Sequence, residues 1–220
     1  MTEYNIFIVD DHPLFRDALR QALEGSLENL HITEAGSLNE LTSHLDKRTH
    51  PVDLVLLDLS MPGVKGFSGL LFLRAQYQEI PVIIVSATEE PKVIRRSFEF
   101  GASGYIPKSV AVEEIRNGVK MVLNGDVYTP PDISLEEDPD DDISELVARV
   151  ATLTPQQVRV LMMLGEGLLN KQIAYELSVS EATVKAHVSA ILQKLNVDSR
   201  TQAVIAVNKI DSVDWQNSDV

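Results

Sequence analysis

Asp10 and Asp11 follow the apolar run IFIV, Asp58 follows LVLL, Ser86 closes VIIV, and Lys108 stands just after GYIP. Polar groups that end apolar runs belong to strand tips. One aspartate at such a tip is ordinarily a turn former or a helix cap. Five groups of these types gain meaning if the fold gathers them. Three carboxylates within about 4 Å of one another repel by roughly 4 kcal/mol per pair at an effective dielectric of about 20. Lys108 offsets part of that repulsion, and a hard divalent cation with oxygen ligands would offset the rest. Mg²⁺ suits such a place, taking one or two carboxylates together with phosphate oxygens and water. One carboxylate then remains as a nucleophile for a phosphoryl group, with a hydroxyl and an ammonium to receive the product's oxygens. The expected chemistry is a phospho-accepting aspartate.

The elements that must position these groups are legible as alternating short apolar strands and amphipathic helices. Strands are expected at Tyr4 to Val9, Ile32 to Ala35, Asp53 to Leu59, Pro81 to Ala87 and Gly104 to Pro107. Helices are expected at Leu14 to Leu23, Ser37 to Leu45, Gly66 to Tyr77, Pro91 to Phe100 and Ala111 to Asn124. Ser37 with Glu40 has the spacing of a capping box, and Pro91 suits a first helical turn. Five β-then-α units predict an α/β fold, a five-stranded parallel doubly wound sheet. The unbroken run Leu54, Val55, Leu56, Leu57 marks a central strand buried on both faces. Ligands of open parallel sheets bind beyond the carboxyl ends of the strands, so this topology collects Asp10, Asp11, Asp58, Ser86 and Lys108 at one edge.

With 220 residues the chain is long enough for two domains. There is no cysteine, which excludes a disulfide framework or a thiolate metal site. No basic leader precedes the first apolar run, and no run approaches the about 20 residues that span a bilayer. A cytoplasmic protein without a membrane partner is expected. The net charge of −14 argues against nucleic acid only as a sum. Residues 126–148 carry nine acidic and no basic side chains, whereas residues 150–210 carry six basic and four acidic ones. The division expected is a first domain over 1–125, an acidic linker over 126–149, a helical domain over 150–210 and an acidic tail over 211–220. Dense like charge with prolines keeps such a linker from burying enough apolar surface to order itself, although a short helix from about Ile143 can lead out of it.

From Thr154 the pattern is all-α. Thr154 and Gln157 form a capping box around Pro155, and Gly165 and Gly167 stop that helix. A second helix is expected from Lys171 to Leu177 behind Asn170, a third from Glu181 to Leu195, and a fourth after Ser199, with Gln202 in a further capping box. In the third, Val184, Val188, Ile191, Leu192 and Leu195 make a buried stripe, leaving Lys185, Ala186, Ser189 and Gln193 on a short-chained polar face. Such a face can enter a major groove. Periodicity alone fits a protein-binding four-helix domain equally well.

VDDHPLFRDAL, LLDLSMPG, IIVSA and GYIPKS, in that order and spacing, resemble the receiver domain of bacterial response regulators over about residues 3–125. The resemblance implies that Asp58 is phosphorylated by a sensor histidine kinase or a small phosphodonor. It also implies that Asp11, Asp58 and the backbone carbonyl of Ser60 bind Mg²⁺, with Asp10 assisting through water. Ser86 and Lys108 would contact the phosphoryl oxygens, and Tyr105 would be the switch aromatic. Such a chain is not a conventional enzyme, though it promotes its own phosphotransfer and dephosphorylation. Many receivers carry proline directly after this lysine; here Pro107 precedes it and Ser109 follows, so a cis peptide at that bond does not carry over.

NKQIAYELSVSEATVKAHVSAILQKLNVDSRTQA closely resembles the helix-turn-helix of LuxR-type regulators. Together the two halves match the NarL/FixJ class of response regulators. This implies base contacts from Lys185, Ala186 and Ser189, and phosphate contacts from Lys171, Thr183 and Lys194. It also implies a homodimer formed through the last helix, where Val204, Val207 and Asn208 could face a partner. Promoter DNA, the kinase and RNA polymerase are the partners implied. A constitutive DNA-binding protein whose receiver is only an interaction module remains open, as does a phosphatase using Asp58. Against the phosphatase, the residue two after Asp58 is Ser60, where such sites usually carry a second Asp.

Overall fold

The computed structural model describes residues 3–62, 66–131, 133 and 141–211, apart from the side chains of 141–144, 207, 210 and 211. The chain falls into two compact units, residues 1–70 with 78–136, and residues 71–77 with 137–220.

The first half alternates β1 (Tyr4–Val9), α1 (Pro13–Leu23), β2 (Leu30–Ala35), α2 (Leu38–Asp46), β3 (Leu54–Leu57), α3 (Ser68–Gln76), β4 (Val82–Ser86), α4 (Pro91–Glu99), β5 (Gly104–Pro107) and α5 (Val112–Leu123). The strands form one parallel sheet in the order β2-β1-β3-β4-β5. Alternate side chains of a strand point to opposite faces. Ile6, Ile8, Leu54, Leu56, Ile83, Val85 and Ile106 accordingly share one core with Leu19 and Leu23 of α1 and Ile115, Val119 and Val122 of α5. Phe7 belongs to the other face, where its ring meets His44 of α2. Each fully buried aliphatic side chain contributes about 1.5–3 kcal/mol, so the sheet is a rigid base for whatever its edge carries. Every residue of β3 is buried, as its lack of alternation requires.

Expected and observed ends agree within one or two residues for most of these elements. Ser37 accepts from the Glu40 N–H, but the Glu40 carboxylate reaches one residue further back, to the Gly36 N–H at 2.7 Å. All described peptide bonds are trans.

The expected linker is structured at both ends. Tyr128 is buried and bridges to Gly104. Its carbonyl accepts from the Tyr105 N–H at 3.1 Å, and its own N–H donates to the Ser103 carbonyl at 3.2 Å. At the other end α6 (Asp141–Ala151) begins before Ile143 and buries Leu146, Val147 and Val150. Residues 134–140, which hold four of the linker's carboxylates, lie outside the described residues.

The second half continues with α7 (Pro155–Gly165), α8 (Asn170–Glu176), α9 (Glu181–Leu195) and α10 (Arg200–Asp211). The Thr154–Gln157 capping box is complete. Gly165 stays inside the last turn of α7. Gly167 ends the helix at φ +86°, with its N–H on the Leu164 carbonyl and that of Leu168 on the Met163 carbonyl, the pattern of a Schellman cap. Asn170 does not cap α8; it is the first helical residue, and Gln172 accepts from the Leu169 N–H instead. The Asn170 amide oxygen is held by Arg200, which also donates to the Leu168 carbonyl. At the start of α10, Ser199 accepts from the Gln202 N–H, while the Gln202 amide oxygen goes to the Asp198 N–H. Among the described residues no helix is long and apolar enough to cross a membrane.

Candidate functional site

The register places Val9 beside Leu57, Leu57 beside Ile84, and Ser86 beside Pro107. The residues that follow these pairs therefore emerge together at the carboxyl edge. Ligating atoms of Asp10, Asp11, His12 and Asp58 all lie within 4.8 Å of one another. Asp10, Asp58 and Ser86 are buried, a rare condition for carboxylates without partners.

Lys108 is the chief partner. Its ammonium donates to Asp10 Oδ2 at 2.6 Å, lies 3.2 Å from Asp58 Oδ2, and sits 4.5 Å from the centroid of the Phe15 ring. Its backbone N–H donates to the Ser86 carbonyl at 2.7 Å, which fixes where the side chain starts. Asp10 Oδ1 accepts from the His12 N–H at 2.8 Å. Neither Asp58 oxygen receives an aligned hydrogen bond, nor does Asp11 Oδ1. The Lys108 contact to Asp58 is thus one of charge rather than an aligned bond, and His12 Nδ1 lies 2.8 Å from Asp11 Oδ1. Burial pushes the Asp58 carboxyl above its usual value; Lys108 opposes the rise and Asp10 adds to it. The cluster has more acid than its one lysine balances.

The Ser86 hydroxyl accepts from the Thr88 N–H at 3.3 Å. Tyr105 is fully buried, and its hydroxyl donates to the Thr88 carbonyl at 2.6 Å. Burial raises the phenol's ionisation well above its ordinary range, a Ser86 hydrogen bond opposes that, and the charge of Asp58 adds to it. Serine, aspartate and tyrosine therefore share one local field. Ser60 is exposed just past β3. Sequence reasoning missed Phe15, whose ring supports the lysine, and Arg16, which donates to the Asp10 carbonyl at 2.6 Å. Both lie in an ordinary amphipathic helical pattern, which carries no signal of a contact with the chain ahead of it.

In the second half, the turn between α8 and α9 places Ser178 at φ +54°, and Ser180 caps α9 by accepting from the Thr183 N–H at 3.1 Å. Val184, Ile191 and Leu195 are fully buried, and Lys185, Ala186, Ser189 and Gln193 are exposed. Lys185 pairs with Glu181 at 3.3 Å, and Ser189 turns its hydroxyl onto the Lys185 carbonyl. Lys171 and Thr183 are exposed as well. Lys194 is half-buried, and its ammonium donates to the Thr152 carbonyl at 2.7 Å and to Gln157 Oε1 at 2.9 Å, so it ties α9 to the start of α7. On α10, Val204 is half-buried and Asn208 exposed, while the side chain of Val207 lies outside the described residues.

Two family models match the chain: the response regulator receiver domain over residues 6–120, and the bacterial regulatory proteins of the luxR family over residues 151–207. The glycerol metabolism activator of Pseudomonas putida is 40% identical over 214 residues, covering 94% of this chain and 96% of that one. The nitrate/nitrite response regulator NarP of Escherichia coli K12 is 36% identical over 217 residues, covering 93% and 94%. Among solved structures, the RcsB response regulator of Salmonella typhimurium matches with a TM-score of 0.57 at 22% identity over 95% of this chain and all of that one, a likeness of fold. The chain belongs to the NarL/FixJ class of two-component response regulators, a receiver domain followed by a LuxR-type DNA-binding domain.

Proposed function

We propose that Asp58 is the phospho-acceptor of this regulator and that its phosphorylation gates promoter binding by α9. The observation that carries the reading is the buried Asp58 carboxylate, whose oxygens receive no well-aligned hydrogen bond and whose nearest cation is the Lys108 ammonium at 3.2 Å. A buried carboxylate held mainly by one lysine is costly, and burial raises its pKa accordingly. Its oxygen attacks the phosphorus of a phosphohistidine or a small acyl phosphate. The bond from phosphorus to the donor breaks, the donor leaves with that electron pair, and an acyl phosphate forms.

The oxygens of Asp58 and Asp11 supply the oxygen donors that Mg²⁺ prefers, with Asp10 beside them, and the Ser60 carbonyl is the further ligand that the receiver resemblance implies. When bound, the ion would neutralise charge on the transferring phosphoryl group. The imidazole of His12 is a poor match for so hard a cation. Lys108 shifts its pairing toward the new phosphoryl oxygens and the Ser86 hydroxyl donates to them, each favouring the phosphorylated state. The Tyr105 hydroxyl bonds the carbonyl two residues past Ser86, so a shift of that loop bears directly on the α4–β5–α5 face.

On the DNA side, Lys185, Ala186 and Ser189 read base edges, and Thr183 and Lys171 contact phosphates. A domain with net +2 makes few phosphate contacts, so pairing two copies through Val204, Val207 and Asn208 compounds a modest affinity. A sensor histidine kinase in the cytoplasm is the donor partner. One experiment tests the whole reading: incubate the chain with acetyl phosphate and Mg²⁺, assay acid-labile phosphate, and measure promoter affinity before and after. Wild type should gain phosphate and affinity together, and Asp58→Asn neither. Equal DNA binding with and without phosphate would leave a constitutive DNA-binding protein.

A further inference from the structure

Arg16 enters none of the roles assigned so far, yet its guanidinium is engaged at both ends beside the receiver's acidic edge. From α1 it reaches back along the chain and donates through Nη1 to the Asp10 carbonyl at 2.6 Å. Its Nε donates to Glu34 Oε2 at 3.0 Å. Glu34, on β2, is held in turn by Arg20, whose Nε donates to Oε1 at 2.8 Å and whose Nη2 pairs with the same oxygen. The two arginines hold the Glu34 carboxyl below its usual range against the opposing effect of its burial. The fork is therefore anchored at one end on the sheet and aimed at the other onto one peptide group. That peptide joins Asp10 to Asp11. The Asp10 N–H is already fixed, donating to the Ala35 carbonyl at 3.1 Å. Both sides of Asp10 are therefore tied, and Arg16 holds the peptide that leads into Asp11.

We infer that Arg16 is a positioning residue for cation binding: by clamping the Asp10 carbonyl from a Glu34 anchor, it aims the Asp11 carboxylate at the site it shares with Asp58. The inference rests on the proposed magnesium-assisted site and deepens it. Charge and geometry predict opposite signs here. If Arg16 acted only as a nearby positive charge, removing it would strengthen magnesium binding, because a competing cation would be gone. If it aims the ligand, removing it weakens binding. Groups that orient metal ligands are worth about 10-fold or more in affinity, and a planar fork holding two oxygens is a task lysine does not reproduce.

The test is magnesium chloride titrated into the full chain by calorimetry, with circular dichroism recording the fold of each variant. Arg16→Ala should bind magnesium about 10-fold more weakly, and Arg16→Lys, which keeps the positive charge but not the fork, should shift in the same direction. Glu34→Gln should weaken binding as well, though there the lost negative charge acts with the loosened anchor. The double variant should lose little beyond Arg16→Ala alone, since the two residues act through one contact. Should Arg16→Ala not fold, Arg16→Lys, which keeps the positive charge but loses the planar fork, carries the decision: weaker binding supports the inference and equal binding overturns it. Wild type that binds magnesium while the folded variants bind it equally or more tightly would overturn the inference alone. Wild type that takes up no magnesium would overturn the site reading and this inference with it.

Discussion

Asp58 is where a single side chain decides the behaviour of the receiver. Burial raises its carboxyl above the ordinary 3.8, Lys108 opposes that rise, and Asp10 adds to it. A carboxyl whose folded value is raised binds its proton more readily in the folded state. Its contribution to stability is then fully present below the unfolded value and is lost as the pH climbs through the folded one. Near neutral pH, ionised Asp58 therefore costs stability. Asp58→Asn should melt higher at neutral pH in chelator, by about 4 °C for each kcal/mol of strain removed, and the gap should close as the pH falls into the carboxylate range. Thermal melts of both proteins across that range check this; an Asn variant that melts lower at neutral pH would contradict it. Magnesium should then stabilise wild type more than the variant, because binding the folded state alone adds stability.

At the scale of elements, α9 presents two kinds of lysine. Lys185 is exposed on the polar face, whereas Lys194 is bonded to Thr152 and Gln157 within its own domain. Lys194→Ala should lower the stability of the C-terminal domain by about 1–2 kcal/mol through two lost hydrogen bonds, read by urea denaturation. Lys185→Ala should leave stability within about 0.5 kcal/mol, since an exposed ion pair with Glu181 is worth little, and should weaken DNA binding. A salt slope for DNA binding that Lys194→Ala leaves unchanged would assign that ammonium wholly to the fold. The capping box of α7 makes a parallel case: Thr154→Ala should cost about 1 kcal/mol.

At the scale of the molecule, an acidic chain must still hold DNA. With −14 overall and only +2 across residues 150–210, one copy has little electrostatic affinity. Log affinity falls against log salt by about 0.9 for each phosphate neutralised. Phosphorylation that pairs two copies should therefore roughly double that slope, together with a doubled mass in light scattering. A phosphorylated chain that binds more tightly with the monomer's slope would place the gain within one domain instead.

Much of this protein is legible in its sequence because short-range physics writes it there. Short apolar runs and the caps at Ser37 and Thr154 define strands and helices locally, and five βα units imply a parallel doubly wound sheet. That topology suffices to predict that Asp10, Asp58, Ser86 and Lys108 share an edge. Other features depend on partners far apart in sequence. Lys108 bonds a carboxylate 98 residues away and Lys194 an amide 37 residues away. Tyr128 leaves an acidic stretch to bridge with Gly104, its ring packed where a side chain on Gly118 would intrude. Arg16 reads as one more polar residue of a helix until Glu34 and the Asp10 carbonyl are seen on either side of it. Local pattern determined which elements form and which groups stand at their ends. Tertiary packing decided which of those groups are paired, because pairing depends on distances that only the folded chain sets.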